Sequence, residues 1–139
     1  MADVAGFLLN EVARVIRERT ASAIEPHGIH PRQLGLLFLL RGAGASSQQQ
    51  LGERLGMDRT TTMQLVAALE GAELVARDDD PADRRAYRLR LTARGHDVTQ
   101  TLLKTVTAVE RQTLKALKAS ERKHLKLLLR KVLESPQGR

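Results

Sequence analysis

Two short runs of this sequence hold the side chains best suited to chemistry with a polyanion. The first is Arg59-Thr60-Thr61-Thr62-Met63-Gln64-Leu65-Val66-Ala67-Ala68-Leu69-Glu70, preceded by Asp58. At helical spacing, positions 62, 65, 66 and 69 share one face and carry Thr, Leu, Val and Leu, a core side. Positions 60, 63, 64 and 67 share the opposite face. There Gln64 can bond an adenine edge in bidentate fashion, Met63 can meet a thymine methyl, and Arg59 suits a phosphate or a guanine. Thr60 and Thr61 stand in the first turn, where free N–H groups and the helix dipole favour a phosphate.

The second run is Arg77-Asp78-Asp79-Asp80-Pro81-Ala82-Asp83-Arg84-Arg85-Ala86-Tyr87-Arg88-Leu89-Arg90-Leu91-Thr92. Its period of two predicts a strand with Arg88 and Arg90 on one face and Tyr87, Leu89 and Leu91 turned toward the body. A narrow, A·T-rich minor groove attracts an inserted arginine. Phosphate would repel Asp78, Asp79 and Asp80, so they are expected on the far side of an acidic turn. With Ser47 and Gln48 at the start of the preceding helix, the candidate DNA-contacting set is Ser47, Gln48, Arg59, Thr60, Thr61, Met63, Gln64, Arg84, Arg85 and Arg88.

The elements that must hold these residues follow from periodicity and caps. Val4, Phe7, Leu8, Val12, Val15 and Ile16 trace one face of a first helix, which should stop near Pro26-His27-Gly28. Pro31 opens a second helix, where its missing N–H is harmless. That helix is apolar around most of its circumference at Leu34-Gly35-Leu36-Leu37-Phe38-Leu39-Leu40, so it needs cover on several sides, and a partner subunit is expected to supply some of it. Ser46 with Gln49 fits a capping box for a third helix reaching Leu55. Gly56-Met57 is a tight turn, and Asp58 caps the fourth helix, which lasts to about Gly71. Residues 74–77 and 85–91 read as strands on either side of the acidic turn. Thr92 caps a fifth helix with a stripe of Val98, Leu102, Val106, Val109, Thr113 and Leu117. Ser120 opens a sixth, apolar at Leu125, Leu128, Leu129 and Val132 and ended by Ser135-Pro136-Gln137-Gly138.

A capped helix, a tight turn, a second helix and a basic hairpin form a helix-turn-helix followed by a wing. The hairpin carries Asp83-x-Arg85 and then, after five intervening residues, Leu91-Thr92. This pattern resembles the wing signature of the MarR (multiple antibiotic resistance regulator) family of bacterial transcription regulators, and the resemblance spans residues 8–133. It implies a mainly α fold with a small β-hairpin wing, a winged helix-turn-helix whose N- and C-terminal helices interleave between subunits. It also implies that the arginine at position 85 enters the minor groove while Asp83 holds the wing arginines in orientation. The family commonly carries an aliphatic residue where Thr62 stands; Thr keeps the β-branched shape, and its hydroxyl can bond a carbonyl of the preceding turn. Members often release DNA when a small phenolic or aromatic effector wedges between the dimer helices and the reading head. Leu36 and Leu40 are the candidate pocket lining here, with core packing as their other use.

At 139 residues the chain is expected to be a single domain, with residues 31–92 as the DNA-binding lobe and 1–25 and 93–135 as dimerisation helices. The expected function is a repressor that binds a pseudo-palindromic operator on double-stranded DNA as a homodimer, with a small-molecule effector and no cofactor. The formal charge of +7 fits a polyanionic partner but does not by itself choose among DNA, ribosome and membrane surface. Phe7, Phe38 and Tyr87 are the sole aromatics, too few for the stacking platforms of single-strand binders. The absence of cysteine excludes disulfides, zinc–thiolate sites and thiol-based peroxide sensing. No apolar run approaches the ~20 residues that span a bilayer, and the N-terminus has acidic Asp3 without a basic leader, so a cytoplasmic location is expected. There is no phosphate loop, nucleophile elbow or catalytic carboxylate pair, and no enzyme is expected. His27 and His30 flank a turn, but zinc needs three or four ligands and no carboxylate pairs with them by spacing. A histidine-based metal-sensing regulator and a winged-helix interaction module that no longer reads DNA are the competing readings. The arginines and Gln64 argue against the second, because a module freed from DNA has no need of them.

Overall fold

Proline, glycine and polar caps set the helix limits in the computed structural model, which describes residues 3–136 apart from the side chain of Arg84. The expectation for Gln137-Gly138 lies outside the described residues. Helix α1 (Ala5–Ile24) runs into one 3₁₀ turn at Glu25–His27, closed by Gly28 at φ 70°, a left-handed conformation that glycine adopts without strain. Helix α2 (Pro31–Ala43) starts on proline behind a cap that sequence reasoning missed. His30 Nδ1 accepts the N–H of Arg32 at 3.1 Å, and Gln33 Oε1 accepts the N–H of His30 at 2.9 Å.

Strand β1 (Ser46–Ser47) precedes α3 (Gln48–Leu55), and the capping box lies one residue later than expected. Ser47 Oγ accepts the N–H of Gln50 at 3.1 Å, and Gln50 Oε1 accepts the N–H of Ser47 at 2.9 Å. Ser46 is unavailable as a cap because it is buried in sheet pairing opposite Leu89, with its hydroxyl turned to Gly44 O. Helix α4 (Arg59–Gly71) begins on Asp58 as expected. Strand β2 (Val75–Asp80) and β3 (Asp83–Leu91) make the hairpin, and the sheet order β1-β3-β2 puts β3 in the centre.

The hairpin is longer than expected, and the acidic residues belong to strand β2 rather than to the turn, which contracts to Pro81-Ala82. The reason is charge pairing across the ladder: Asp78 meets Arg90 at 2.6 Å and Asp80 meets Arg88 at 3.8 Å. Thr92 caps α5 (Ala93–Thr113), which stops before Leu117. Helix α6 (Ala119–Glu134) starts ahead of Ser120, with Glu121 Oε1 accepting the N–H of Lys118 at 2.8 Å.

The core forms around α2, where Leu36 and Leu37 have no exposed surface. Helices α1, α3, α4 and α5 and strand β3 all pack against α2, so the cover expected from a partner subunit comes from the chain itself. The apolar faces left without cover lie elsewhere. Val4, Phe7, Leu8, Leu9 and Val12 of the N-terminal segment and Leu127, Leu128, Leu129, Val132 and Leu133 of α6 are exposed. Helix α6 buries no residue and is tied to α5 by the Lys126–Glu110 ion pair at 3.3 Å.

Candidate nucleic-acid interface

Helix α4 is presented by close packing against α3. A Cβ at Gly52 would lie 2.8 Å from Thr62 Oγ1 and 3.3 Å from Met57 O, so the approach of the two helices requires glycine there. Gly56 turns the chain between them at φ 63°. Asp58 Oδ1 accepts the N–H of Thr61 at 2.7 Å. That backbone hydrogen bond holds the Asp58 carboxyl below the ordinary carboxylate range, assisted by the Thr61 side chain and more weakly by the charge of Arg32. The hydroxyl of buried Thr62 donates back to Asp58 O at 2.8 Å, the use expected for Thr in place of an aliphatic residue. Thr62, Val66 and Leu69 are buried as the inner face, while Arg59, Thr60, Met63, Gln64 and Ala67 are exposed on the outer one.

The wing stands beside that outer face. An open cleft of about 630 Å³ runs between them, with Ser47 and Gln48 at one end, Arg59 and Met63 along α4, and Arg85 and Tyr87 on the wing. Five of the residues expected to contact DNA therefore meet in one cleft: Ser47, Gln48, Arg59, Met63 and Arg85. Thr60 and Gln64 are exposed on α4 outside its walls, and Thr61 lines a smaller hollow of about 250 Å³ with Arg32 and Met57. Arg88 lies in a different cleft, beside Leu39, Ser46 and Arg54. The side chain of Arg84 lies outside the described residues.

Ion pairing separates the wing arginines further. Arg88 and Arg90 face Asp80 and Asp78, and Arg77 Nε is bound to Glu70 Oε1 at 2.7 Å. Among the described residues no carboxylate forms an ion pair with Arg59 or Arg85, although Glu53 lines the same cleft. Asp83 Oδ1 accepts the backbone N–H of Arg85 at 2.9 Å, which shapes the chain where that arginine leaves the turn.

Tyr87 does not pack into the body as expected from its alternation with Leu89 and Leu91. It shares their strand face, but the hairpin projects past the core at that point and leaves the ring 43% exposed. The guanidinium of Arg77 lies over it, 4.6 Å from the ring centroid. Neither Arg77 nor Glu70 stood out in the sequence, because their involvement depends on the register of β2 against β3. Leu36 and Leu40 are core residues, at 0% and 3% exposure. His30 serves as a helix cap, and among the described residues no group of three His, Cys, Asp or Glu side chains could hold a metal ion.

Residues 27–86, which include the second to fourth helices and part of the wing, match the MarR family. The repressor NicR of Pseudomonas putida is 26% identical over 134 residues, covering 94% of this chain and 85% of NicR. The repressor Rv2887 of Mycobacterium tuberculosis is 26% identical over 127 residues, 91% of each chain. By sequence and by fold the chain is similar to MarR-family regulators. That similarity and the winged helix-turn-helix fold support a DNA-binding transcription regulator. The crystal structure of Rv2887 in complex with DNA superposes with a TM-score of 0.81 at 26% identity, covering 95% of this chain and 98% of that one. Rv2887 has also been crystallised with p-aminosalicylic acid, with a TM-score of 0.79 at 25% identity over 93% of this chain and 98% of that one. The fold is shared as well with MarR of E. coli, at a TM-score of 0.84 and 24% identity over 94% of this chain and 96% of that one. Among the described residues no helix is long and apolar enough to cross a membrane.

Proposed function

We propose that this chain is a MarR-family repressor that binds a pseudo-palindromic operator as a homodimer and is released by a small aromatic effector. The observation that carries the DNA-reading part is the one cleft where Arg59 and Met63 of α4 face Arg85 of the wing, neither arginine being ion-paired to a carboxylate among the described residues. In this reading residues 31–92 are the reading lobe, and 1–25 and 93–135 join the subunits. Gln64 and Met63 meet base edges in the major groove, Thr60, Thr61, Ser47 and Gln48 meet phosphates, and Arg85 enters the adjacent minor groove. Arg84 belongs to the same contact set. Arg88 has a weaker claim, because a phosphate must displace Asp80. Repression is supported by similarity to the repressors NicR and Rv2887, and an aromatic carboxylate effector by the Rv2887 complex with p-aminosalicylic acid. A DNA partner places the protein in the cytoplasm.

Binding-site selection on the wild type and three variants tests the assignment. Gln64→Ala is expected to lose about 1–3 kcal/mol at one base pair per half-site and to relax the preference there. Arg85→Ala should weaken binding to most sequences and most of all to sites with A·T-rich flanks. Arg90→Ala, already neutralised by Asp78, should matter least. An unchanged logo for Gln64→Ala together with a disrupted one for Arg90→Ala would reject this reading face.

A further inference from the structure

We infer that Tyr87 is a positioning residue of the DNA-reading surface, the far end of a strut from Glu70 through Arg77 that sets the spacing between recognition helix and wing. The inference rests on the function proposed above, in which α4 and Arg85 engage one site together. Glu70 stands in the last turn of α4 and accepts from Arg77 Nε on β2 at 2.7 Å. Arg77 in turn covers the ring of Tyr87 on β3 at 4.6 Å. Arg77 pairs with Leu89 and Asp79 with Tyr87, so the stack crosses the ladder diagonally, a separation that long and aromatic side chains can bridge. Three elements are thereby joined in series, with the guanidinium of Arg77 engaged by both Glu70 and Tyr87.

The need for such a strut follows from how the hairpin is mounted. Only residues 72–74 connect α4 to β2, and Glu73 among them has a positive φ of 62°. The base is fixed by Leu74 N donating to Leu69 O at 3.0 Å and by Thr92 Oγ1 donating to Glu73 O at 2.7 Å. Beyond the base, β2 extends about 17 Å at the usual strand rise. A small rotation at the base is therefore magnified at the tip. The Tyr87 ring, exposed along the cleft and two residues from Arg85, is placed to oppose that rotation. With Glu70 and the Tyr87 ring both engaging Arg77, its charge serves the hairpin geometry, and Arg85 is left as the cation on this face of β3 for DNA.

The chain contains no cysteine, so spin labels at Ala67→Cys and Ala82→Cys, both exposed, report the distance from helix to wing tip directly. Labelled protein is diluted with unlabelled protein so that only distances within one chain are read. Wild type and Tyr87→Phe, which keeps the ring face, should give a narrow distribution, and Tyr87→Ala and Arg77→Gln a broad one. Narrow distributions for Tyr87→Ala and Arg77→Gln would overturn the strut regardless of any DNA result. In affinity measurements on the selected site, Tyr87→Ala should bind about two- to fivefold more weakly, the scale of one exposed cation–π contact. Tyr87→Phe should restore binding, and the loss should vanish in an Arg85→Ala background, because the strut acts through Arg85. A loss that persists undiminished there overturns the positioning role. Wild-type binding by Arg85→Ala alone would instead reject the proposed DNA reading, an outcome that the spin-label distances distinguish from a failed strut.

Discussion

Asp58 joins local folding to pH at the start of the reading helix. Its carboxylate accepts the N–H of Thr61, and that bond is the main reason its folded pKa lies below the ordinary value of 3.8. A depressed carboxylate contributes stability that is fully present above the unfolded value and is lost as pH falls through the folded one. The cap is therefore complete at neutral pH and weakens only below about pH 4, the ordinary carboxylate value. Asn is also a good N-cap but does not titrate in this range. Asp58→Asn is thus expected to keep most of the neutral-pH stability while losing part of the acid-limb dependence, and Asp58→Ala to lose both. Thermal unfolding followed from pH 7 down to pH 2.5 checks this; identical acid limbs for wild type and Asp58→Asn would refute it.

At the scale of elements, the junction between wing and fifth helix depends on one close approach. Helix α5 starts against the loop that carries the hairpin, and a Cβ at Gly95 would run into the backbone carbonyl of Leu74, 3.0 Å from its carbon. The same carbonyl oxygen accepts the N–H of Thr92 at 3.0 Å, so it cannot move away without loosening the cap of α5. Backbone on both sides leaves no flexible side chain to yield. Gly95→Ala should therefore cost about 3 kcal/mol or more. Gly42→Ala is the comparison, because an added Cβ there meets nothing within 4 Å and Ala is the better helix former. Urea denaturation should place the midpoint of Gly95→Ala well below wild type and that of Gly42→Ala at or above it. Equal midpoints would show that the loop adapts.

Within one chain the whole molecule leaves two apolar surfaces uncovered. Exposed leucines and valines on α6, with no buried residue in that helix, form an apolar surface that a second copy would cover together with the N-terminal face of Phe7, Leu8 and Val12. Homodimerisation is the expected result, and sedimentation should show it. Truncation after Lys118 should yield monomer or aggregate, whereas a stable, soluble full-length monomer would contradict the proposal. A dimer doubles the formal charge of +7 to +14 and spreads it over two half-sites. Affinity for duplex DNA should then fall about a thousandfold or more over a fourfold rise in salt. Fluorescence anisotropy with duplex and single-stranded oligonucleotides of the same sequence tests both parts. A flat salt response would remove the electrostatic argument, and equal affinity for the single strand would remove the winged-helix one.

Helix periodicity, Asp58 and Thr92 as caps, the Gly28 and Gly56 turns and the order of elements were legible in the sequence because each depends on residues within a turn or two of one another. So were the inner face of α4 and the back-bond of Thr62. The tertiary structure decided what depends on partners far along the chain. Ser46 is lost as a cap because β1 pairs it with Leu89, and the acidic residues join a strand because Arg88 and Arg90 ion-pair with them across the ladder. Helix α2 found its cover inside the chain, although its composition cannot say which neighbours surround it. Alternation puts Tyr87 on the same strand face as Leu89 and Leu91, but it cannot show where the core beneath that face ends. A two-residue period specifies side and not depth, and only the packed body shows that the ring stands beyond it, over the cleft, against Arg77.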